Sequence, residues 1–224
     1  MTLTGRRIGV IGGTGHLGEA LARRWAAAGL DVLIGSRDPA RAAETAGALT
    51  KDTGRPVGSG SNREVAASAD LVVVTVPYTA QEATLTGIRA ALQGKVVLDT
   101  TVPLVPPKVM RVQLPPEGAA ALRAQRLLGE GIRVISGFHN VAAHRLAAGQ
   151  EACDVLVFGD DKGAREAGVE LARAAGMRGL HGGALANSAA TEALTSVLIF
   201  MNRLYGVDGA GIHITGTLKE PGAS

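Results

Sequence analysis

Ile8-Gly9-Val10-Ile11-Gly12-Gly13-Thr14-Gly15-His16-Leu17-Gly18 is the stretch that decides the fold of this 224-residue chain. An apolar run ends in glycines and passes straight into Glu19-Ala20-Leu21-Ala22-Arg23-Arg24-Trp25-Ala26, which has helical spacing. Gly13, Gly15 and Gly18 stand in a G-x-G-x-x-G pattern at this strand-to-helix junction. The first glycine permits a tight turn, the second lets a pyrophosphate approach the backbone, and the third lets the helix pack on the strand. The phosphates then rest on unpaired N–H groups at the positive end of the helix dipole. The stretch predicts a dinucleotide site.

The other half of such a site lies about 20 residues on, at the end of the next strand. Asp31-Val32-Leu33-Ile34-Gly35-Ser36-Arg37 is that strand. An acidic residue at its end would hydrogen-bond the ribose hydroxyls of NAD. Here the end carries Ser36 and Arg37, with Arg41 one helical turn later. A hydroxyl and guanidiniums suit a 2′-phosphate, because Arg makes charge-assisted, bidentate bonds to phosphate oxygens. NADP(H) is expected rather than NAD.

Composition narrows the class. Hydrophobic residues make up 46% and charged residues 19%, which describes a globular chain with an ample core. The net charge is only +3, without a basic run, and aromatics are 3%, so no nucleic-acid partner is expected. Cys153 stands alone in an apolar run and reads as core. His144, His181 and His213 lack metal-ligand spacing, and no metal is expected. Met1 to Arg7 leave no room for a leader's apolar region, and no apolar run is long enough for a bilayer. Cytoplasmic work and no membrane partner are therefore expected.

Further along, helices and strands alternate. Helices are read over Pro39–Leu49, from an Asn62 cap through Ala69, over Thr79–Leu92 and over Ala119–Leu128. Two more are read over Gly163–Ala175 and Asn187–Tyr205. Strands are read within Thr53–Ser61 and over Asp70–Pro77, Lys95–Thr101 and Ile132–Phe138. Asp154–Gly159 and Leu180–Leu185 complete the strands. Five prolines between Val102 and Gly118 mark an ordered loop. This alternation means an α/β fold: a Rossmann-type doubly wound parallel sheet over residues 1–182, with a small C-terminal helical domain at 183–224 closing the substrate pocket.

Ligands bind at the carboxyl ends of such strands. Those ends are Thr14 to Leu17, Ser36-Arg37, Val76-Pro77-Tyr78, Val102-Pro103 and His139-Asn140, all expected to face one crevice. Trp25 and Phe158 read as core, while Asp99, Asp160 and Asp161 read as helix caps or solvated charges. In the last helix Ala193, Leu194, Val197, Leu198, Met201 and Leu204 form an apolar stripe, widened by Ile199 and Phe200. Such a helix needs burial on more than one side, so a homodimer is expected.

Gly12-Gly13-Thr14-Gly15-His16-Leu17-Gly18, Gly35-Ser36-Arg37, Val76-Pro77, Val102-Pro103 and Leu185-Ala186-Asn187-Ser188 with its long helix resemble the NADPH-dependent F420 reductases, nearly end to end through Gly209-Ala210-Gly211-Ile212. The resemblance implies hydride transfer between NADP(H) and the deazaflavin coenzyme F420. It implies that Thr14, Gly15, His16 and Leu17 wrap the pyrophosphate, and that Ser36, Arg37 and Arg41 hold the 2′-phosphate. Val76, Ala80, Val102 and Ala143 would line the nicotinamide, and Ala210 would lie near the deazaflavin.

Direct hydride transfer requires two rings held face to face and no acid–base pair, and none is apparent. His139 and Asn140 are candidate contacts to the deazaflavin's polar edge, or else satisfy backbone groups at a turn. Two other readings stay open: an NADPH-dependent reductase of another small acceptor (a flavin, metal chelate or imine), and a non-catalytic NADP-sensing module.

Overall fold

Apolar runs with β-branched residues on both faces become strands covered on both faces. In the computed structural model, which describes residues 3–150 and 153–219, these runs form β1 (Arg7–Ile11), β2 (Asp31–Ser36), β3 (Val57–Ser61), β4 (Leu71–Val74), β5 (Val96–Asp99), β6 (Arg133–Ser136), β7 (Asp154–Gly159) and β8 (Arg178–Gly183). They make one sheet in the order β3-β2-β1-β4-β5-β6-β7-β8. All four residues of both β4 and β5 are buried.

The six strands from β3 to β6 pair in parallel, as expected of a doubly wound unit. The expected parallel run does not extend past them: β7 pairs antiparallel with β6 through Ile135↔Gly159 and Ser136↔Phe158, and β8 then runs parallel to β7. Among the described residues between β6 and β7 the chain forms only the five-residue helix α6 (Ala143–Ala147). A parallel return usually runs through a crossover helix, and five residues make little more than one helical turn.

The remaining helices are α1 (His16–Ala27), α2 (Pro39–Thr53), α3 (Asn62–Ser68), α4 (Tyr78–Ile88), α5 (Ala120–Leu128), α7 (Lys162–Ala174) and α8 (Ser188–Tyr205). One buried cluster joins Val10, Trp25, Leu49, Val157 and Leu171; the other joins Ile11, Val74, Leu85, Val97 and Leu128. Trp25, Phe158 and Cys153 are buried as expected. The indole of Trp25 donates to Leu171 O at 2.8 Å, which satisfies its one polar atom.

Several boundaries differ from expectation for local reasons. Ser61, not Asn62, caps α3: Ser61 Oγ accepts from Glu64 N at 3.3 Å, and Glu64 Oε2 accepts from Ser61 N at 2.8 Å. The helix expected over Thr79–Leu92 is α4 followed by a 3₁₀ turn, Arg89–Leu92. The last strand is β8, two residues earlier than expected, and Leu185–Asn187 is a 3₁₀ turn leading into α8. The proline-rich segment is ordered as expected, with the Gln113 amide donating to Val105 O and Lys108 O. No described helix is long and apolar enough to cross a membrane. The expected C-terminal unit includes residues 220–224, which lie outside the described residues, as do residues 1–2 and 151–152 of the expected first domain.

α8 departs most from its expected orientation. Its apolar stripe does not face the core: Val197, Phe200, Met201 and Leu204 are exposed, while Ser188, Thr191, Glu192 and Ser196 are buried along with Leu198. The helix lies against α5 and β7, where the chain presents backbone amides and a histidine to it. Polar side chains are what such a surface can accept.

Candidate nucleotide and hydride-transfer site

The glycine loop is built as its spacing requires, with one reassignment. The left-handed backbone of the turn sits at Gly12 (φ 76°), not at Gly13. Gly13 is restricted by crowding, since a Cβ there would lie 2.9 Å from Val10 O. At Gly18 a Cβ would lie 2.5 Å from Thr75 Oγ1, so this glycine brings α1 close against the end of β4. Gly15 is less crowded: a Cβ would meet only Gly12 O, at a close 3.3 Å that a small shift relieves. Its φ of −87° suits any residue, so the fold itself does not demand glycine there. A close ligand would. Gly15 is also the N-cap of α1 without a side-chain cap, which leaves the first-turn amides to an anion.

Thr14, Gly15, Ser36, Arg37, Arg41, Val76, Pro77 and Ala80 line one cleft of about 430 Å³, together with Asn62. A second hollow of about 640 Å³ continues from it past Arg37, Asn62, Arg63 and Ala80. Asp38, rather than pairing with the arginines, caps α2 by accepting from Ala40 N and Arg41 N at 3.0 and 3.3 Å. Ser36 Oγ accepts from Asp38 N at 3.2 Å. Neither Arg37 nor Arg41 has a carboxylate partner among the described residues. Arg23, on the opposite side of the loop, is by contrast paired with Glu19 and Asp52. Free guanidiniums beside a crowded glycine loop fit a phosphorylated dinucleotide.

The other expected positions divide. His16 faces Ala143 across a neighbouring hollow. Leu17 is half-buried, Gly18 is buried, Val102 is half-buried and Pro103 is buried. His139, Asn140 and Ala210 come together, with Thr195, Leu198 and Asn202, around a cavity of about 200 Å³ beneath α8. Four of the five strand ends thus open onto several hollows rather than one crevice, and Val102-Pro103 lines none of the hollows described.

His139 is set by strain. Phe138 before it has φ 64°, in the left-handed region that large side chains avoid. The Phe138 ring is held edge-on to Trp25 at 6.2 Å between centroids. The turn brings His139 Nδ1 to 2.8 Å from Thr191 Oγ1 and stacks its ring on Phe158. Thr191 Oγ1 donates to Ser188 O at 3.2 Å, so the Nδ1 nitrogen is the donor to Thr191. Nε2 is then a lone-pair acceptor, buried and without a partner among the described residues. Burial holds the imidazole down to about 3, so it is neutral. Asn140 Nδ2 is committed to Asp154 O at 3.0 Å and to Cys153 Sγ. The tail is fixed above: Ala210 N donates to Asn202 Oδ1 at 2.7 Å.

Of the remaining histidines, His144 lines the same cavity beneath α8 and contacts Asp208, while His181 contacts Glu166 and His213 contacts Asp154. No group of three or more potential ligands could hold a metal among the described residues. Asp161 caps α7 as expected, by accepting from Ala164 N at 2.6 Å. Asp160 accepts from Leu185 N instead.

Asp99 overturns its expectation, being neither a cap nor solvated. It is buried, and accepts from Thr101 N at 3.1 Å, from Thr101 Oγ1 and from Gln81 Nε2. Glu192, also buried, accepts from Ala120 N at 2.6 Å and Ala121 N at 3.1 Å. Burial pushes Asp99 up to about 6 and Glu192 up to about 7, against the hydrogen bonds that favour their charged forms. Asp99, Gln81 and Glu192 are the polar groups that sequence reasoning missed. The available signal was a lone carboxylate inside an otherwise uncharged stretch of α8.

A Rossmann-type sheet, a glycine loop with open amides and unpaired arginines at the end of β2 define a dinucleotide-binding oxidoreductase of the NADP class. Residues 7–103 match the family described as NADP oxidoreductase, coenzyme F420-dependent. The F420-dependent NADP reductase of Methanothermobacter thermautotrophicus is 42% identical, covering 96% of this chain and 97% of its own. That of Methanothermobacter marburgensis is 37% identical, over 93% and 98%. Among solved structures, a protein of Arthrobacter sp. FB24 superposes with a TM-score of 0.82 at 24% identity, over 95% of this chain and all of the other, and shows the same fold. The chain belongs to the F420-dependent NADP oxidoreductase family.

Proposed function

We infer that this chain is an F420:NADP oxidoreductase, which moves a hydride between NADP(H) and coenzyme F420. The observation that carries the cofactor half is the pair Arg37 and Arg41, unpaired in the cleft that begins at the glycine loop. NADP(H) and F420 supply the chemistry, the exchange of one hydride between two ring carbons. The protein binds, orients and excludes water.

In this reading Thr14, Gly15, His16 and Leu17 wrap the pyrophosphate, and Gly13 and Gly18 hold that loop in shape. Ser36, Arg37 and Arg41 take the 2′-phosphate. Val76, Pro77 and Ala80 form one wall of the nicotinamide site, and Val102, Pro103 and Ala143 complete it. His139 offers its free Nε2 to the polar edge of the deazaflavin, Asn140 keeps the adjoining turn in place, and Ala210 lies against the deazaflavin. Residues 183–224 act as the unit that closes this pocket over the strand ends of residues 1–182.

The exposed apolar side of α8, with Phe200 and Leu204 at 47% and 58% exposure, supports a homodimer in which this side meets a second copy. A cytoplasmic location fits a reaction fed by NADPH. The test is acceptor choice: with NADPH, the purified protein is expected to bleach the deazaflavin band of F420. Turnover with a flavin, ferric chelate or imine but not with F420 would refute the assignment, and NADPH binding without turnover on any of them would make the chain a sensor.

A further inference from the structure

Helix α5 begins without a cap of its own. Its N-cap is Ala119, whose side chain can accept nothing, yet the helix start is buried and its amides need acceptors. The acceptor comes from 72 residues away: Glu192 of α8 reaches Ala120 N and Ala121 N with both carboxylate oxygens.

The carbonyl of the same Ala120 accepts from Gln81 Nε2 at 3.1 Å. Gln81 belongs to α4, the helix that follows Val76-Pro77, and the same nitrogen also donates to Asp99 Oδ2 at the end of β5. Asp99 Oδ1 in turn accepts from the backbone of Thr101, the residue before Val102. A continuous chain of hydrogen bonds therefore runs from α8 through α5 to Gln81, in the helix that follows Val76-Pro77, and on to Thr101, next to Val102. One turn further along α8, Ser196 Oγ meets Arg111 O at 3.4 Å in the proline-rich loop.

We propose that Glu192 is a positioning residue for hydride transfer: by capping α5 from α8, it sets the distance between the C-terminal unit, which carries the deazaflavin side, and the Val76–Pro77 and Val102–Pro103 walls. This rests on the F420:NADP reading. The carboxylate touches neither substrate. It acts because buried amides accept few alternative arrangements, so α8 has one seat on the strand ends. The glycine loop and Arg37, which in this reading hold the phosphates, lie outside this chain of bonds, so NADPH affinity is expected to change little without it.

The test separates positioning from mere capping. Glu192→Ala is expected to lower Tm and to slow single-turnover hydride transfer to F420 about tenfold or more, while the NADPH Kd stays within about twofold. The kinetic isotope effect with 4-deuterated NADPH should rise as transfer becomes slower than the other steps. Ala119→Ser, added to Glu192→Ala, gives α5 a local cap in suitable extended backbone (φ −155°). The double variant should regain Tm without regaining the transfer rate. Glu192→Gln, which keeps one acceptor and the volume, should lie between, and it carries the comparison if the alanine variants do not fold. Recovery of the rate along with Tm in the double variant would overturn the proposal, as would a transfer rate within about twofold of wild type in Glu192→Ala or Glu192→Gln. Wild-type turnover of F420 in the same assay checks the underlying reading separately.

Discussion

The start of α1 and the buried face of α8 solve opposite problems. At the end of the glycine loop no side chain caps the first turn of α1, and the nearby Arg37 and Arg41 have no carboxylate partner among the described residues. Along α8 three polar side chains turn inward and are consumed: Glu192 by two amides, Thr191 by His139 and Thr195 by His139 O at 2.9 Å. The first region leaves its hydrogen-bonding capacity for a ligand, while the second spends it on holding elements in register. Unpaired capacity marks where a charged substrate binds, and paired buried capacity marks what aligns it.

The sharpest way to break this contrast is at Gly15. Gly15→Val should abolish measurable NADPH binding, a loss of about a hundredfold or more, because the side chain occupies the space a pyrophosphate needs. The circular dichroism spectrum should be unchanged, since a Cβ meets only Gly12 O. A collapsed spectrum would make the glycine a folding requirement. Arg37→Ala comes next. Losing a charge-assisted bond costs about 1.5–3 kcal/mol, so NADPH should bind more than about tenfold more weakly while NADH is unaffected. Equal loss for both nucleotides would show that Arg37 supports structure alone.

The two regions also differed in legibility. Ser36, Arg37 and the glycines could be read because a strand end followed by a helix is local, and each residue's task follows from its neighbours in sequence. The tight turn expected at Gly13 has its left-handed backbone at Gly12, because one residue separates the turn from a crowded strand end. α8 misled for a general reason. Apolar stripes face cores where the opposing surface is apolar, but this helix lies over strand ends and a bare helix start. Nothing near Glu192 in sequence announces Ala120, and nothing near Asp99 announces Gln81. Likewise Asn62, read as a cap, instead points its carbonyl oxygen to Gly12 N at 3.5 Å, because Ser61 already caps α3.

The buried face can be sharpened by pH. Glu192 titrates near 7 and Asp99 near 6 when folded, against 4.5 and 3.8 for ordinary carboxyls. Folding therefore favours their protonated forms. Their contribution is complete below those ordinary values and is lost as pH rises through about 6 and 7. His139, held down to about 3, acts in the opposite sense, but only below its ordinary value of 6.5. In Glu192→Gln the Glu192 contribution is absent. The Tm of this variant relative to wild type should climb by several degrees between about pH 5.5 and about pH 8.5, an effect on the order of 2 kcal/mol. A constant difference would mean that Glu192 does not titrate in that window.

The smallest expected effect concerns the outer face of α8. Sedimentation equilibrium should give twice the 22.8 kDa chain mass, and Phe200→Glu should shift it toward monomer with little change in Tm. A monomeric wild type at micromolar concentration would leave the apolar side of α8 without its proposed partner.

The central claim is that open amides and free arginines present one hydride donor to one deazaflavin held under α8. Single turnover with NADPH deuterated at the transferred position, followed by mass spectrometry of the reduced F420, tests it most directly. The account predicts one deuterium in the product. Reduced F420 carrying only solvent hydrogen would contradict direct transfer between two aligned rings.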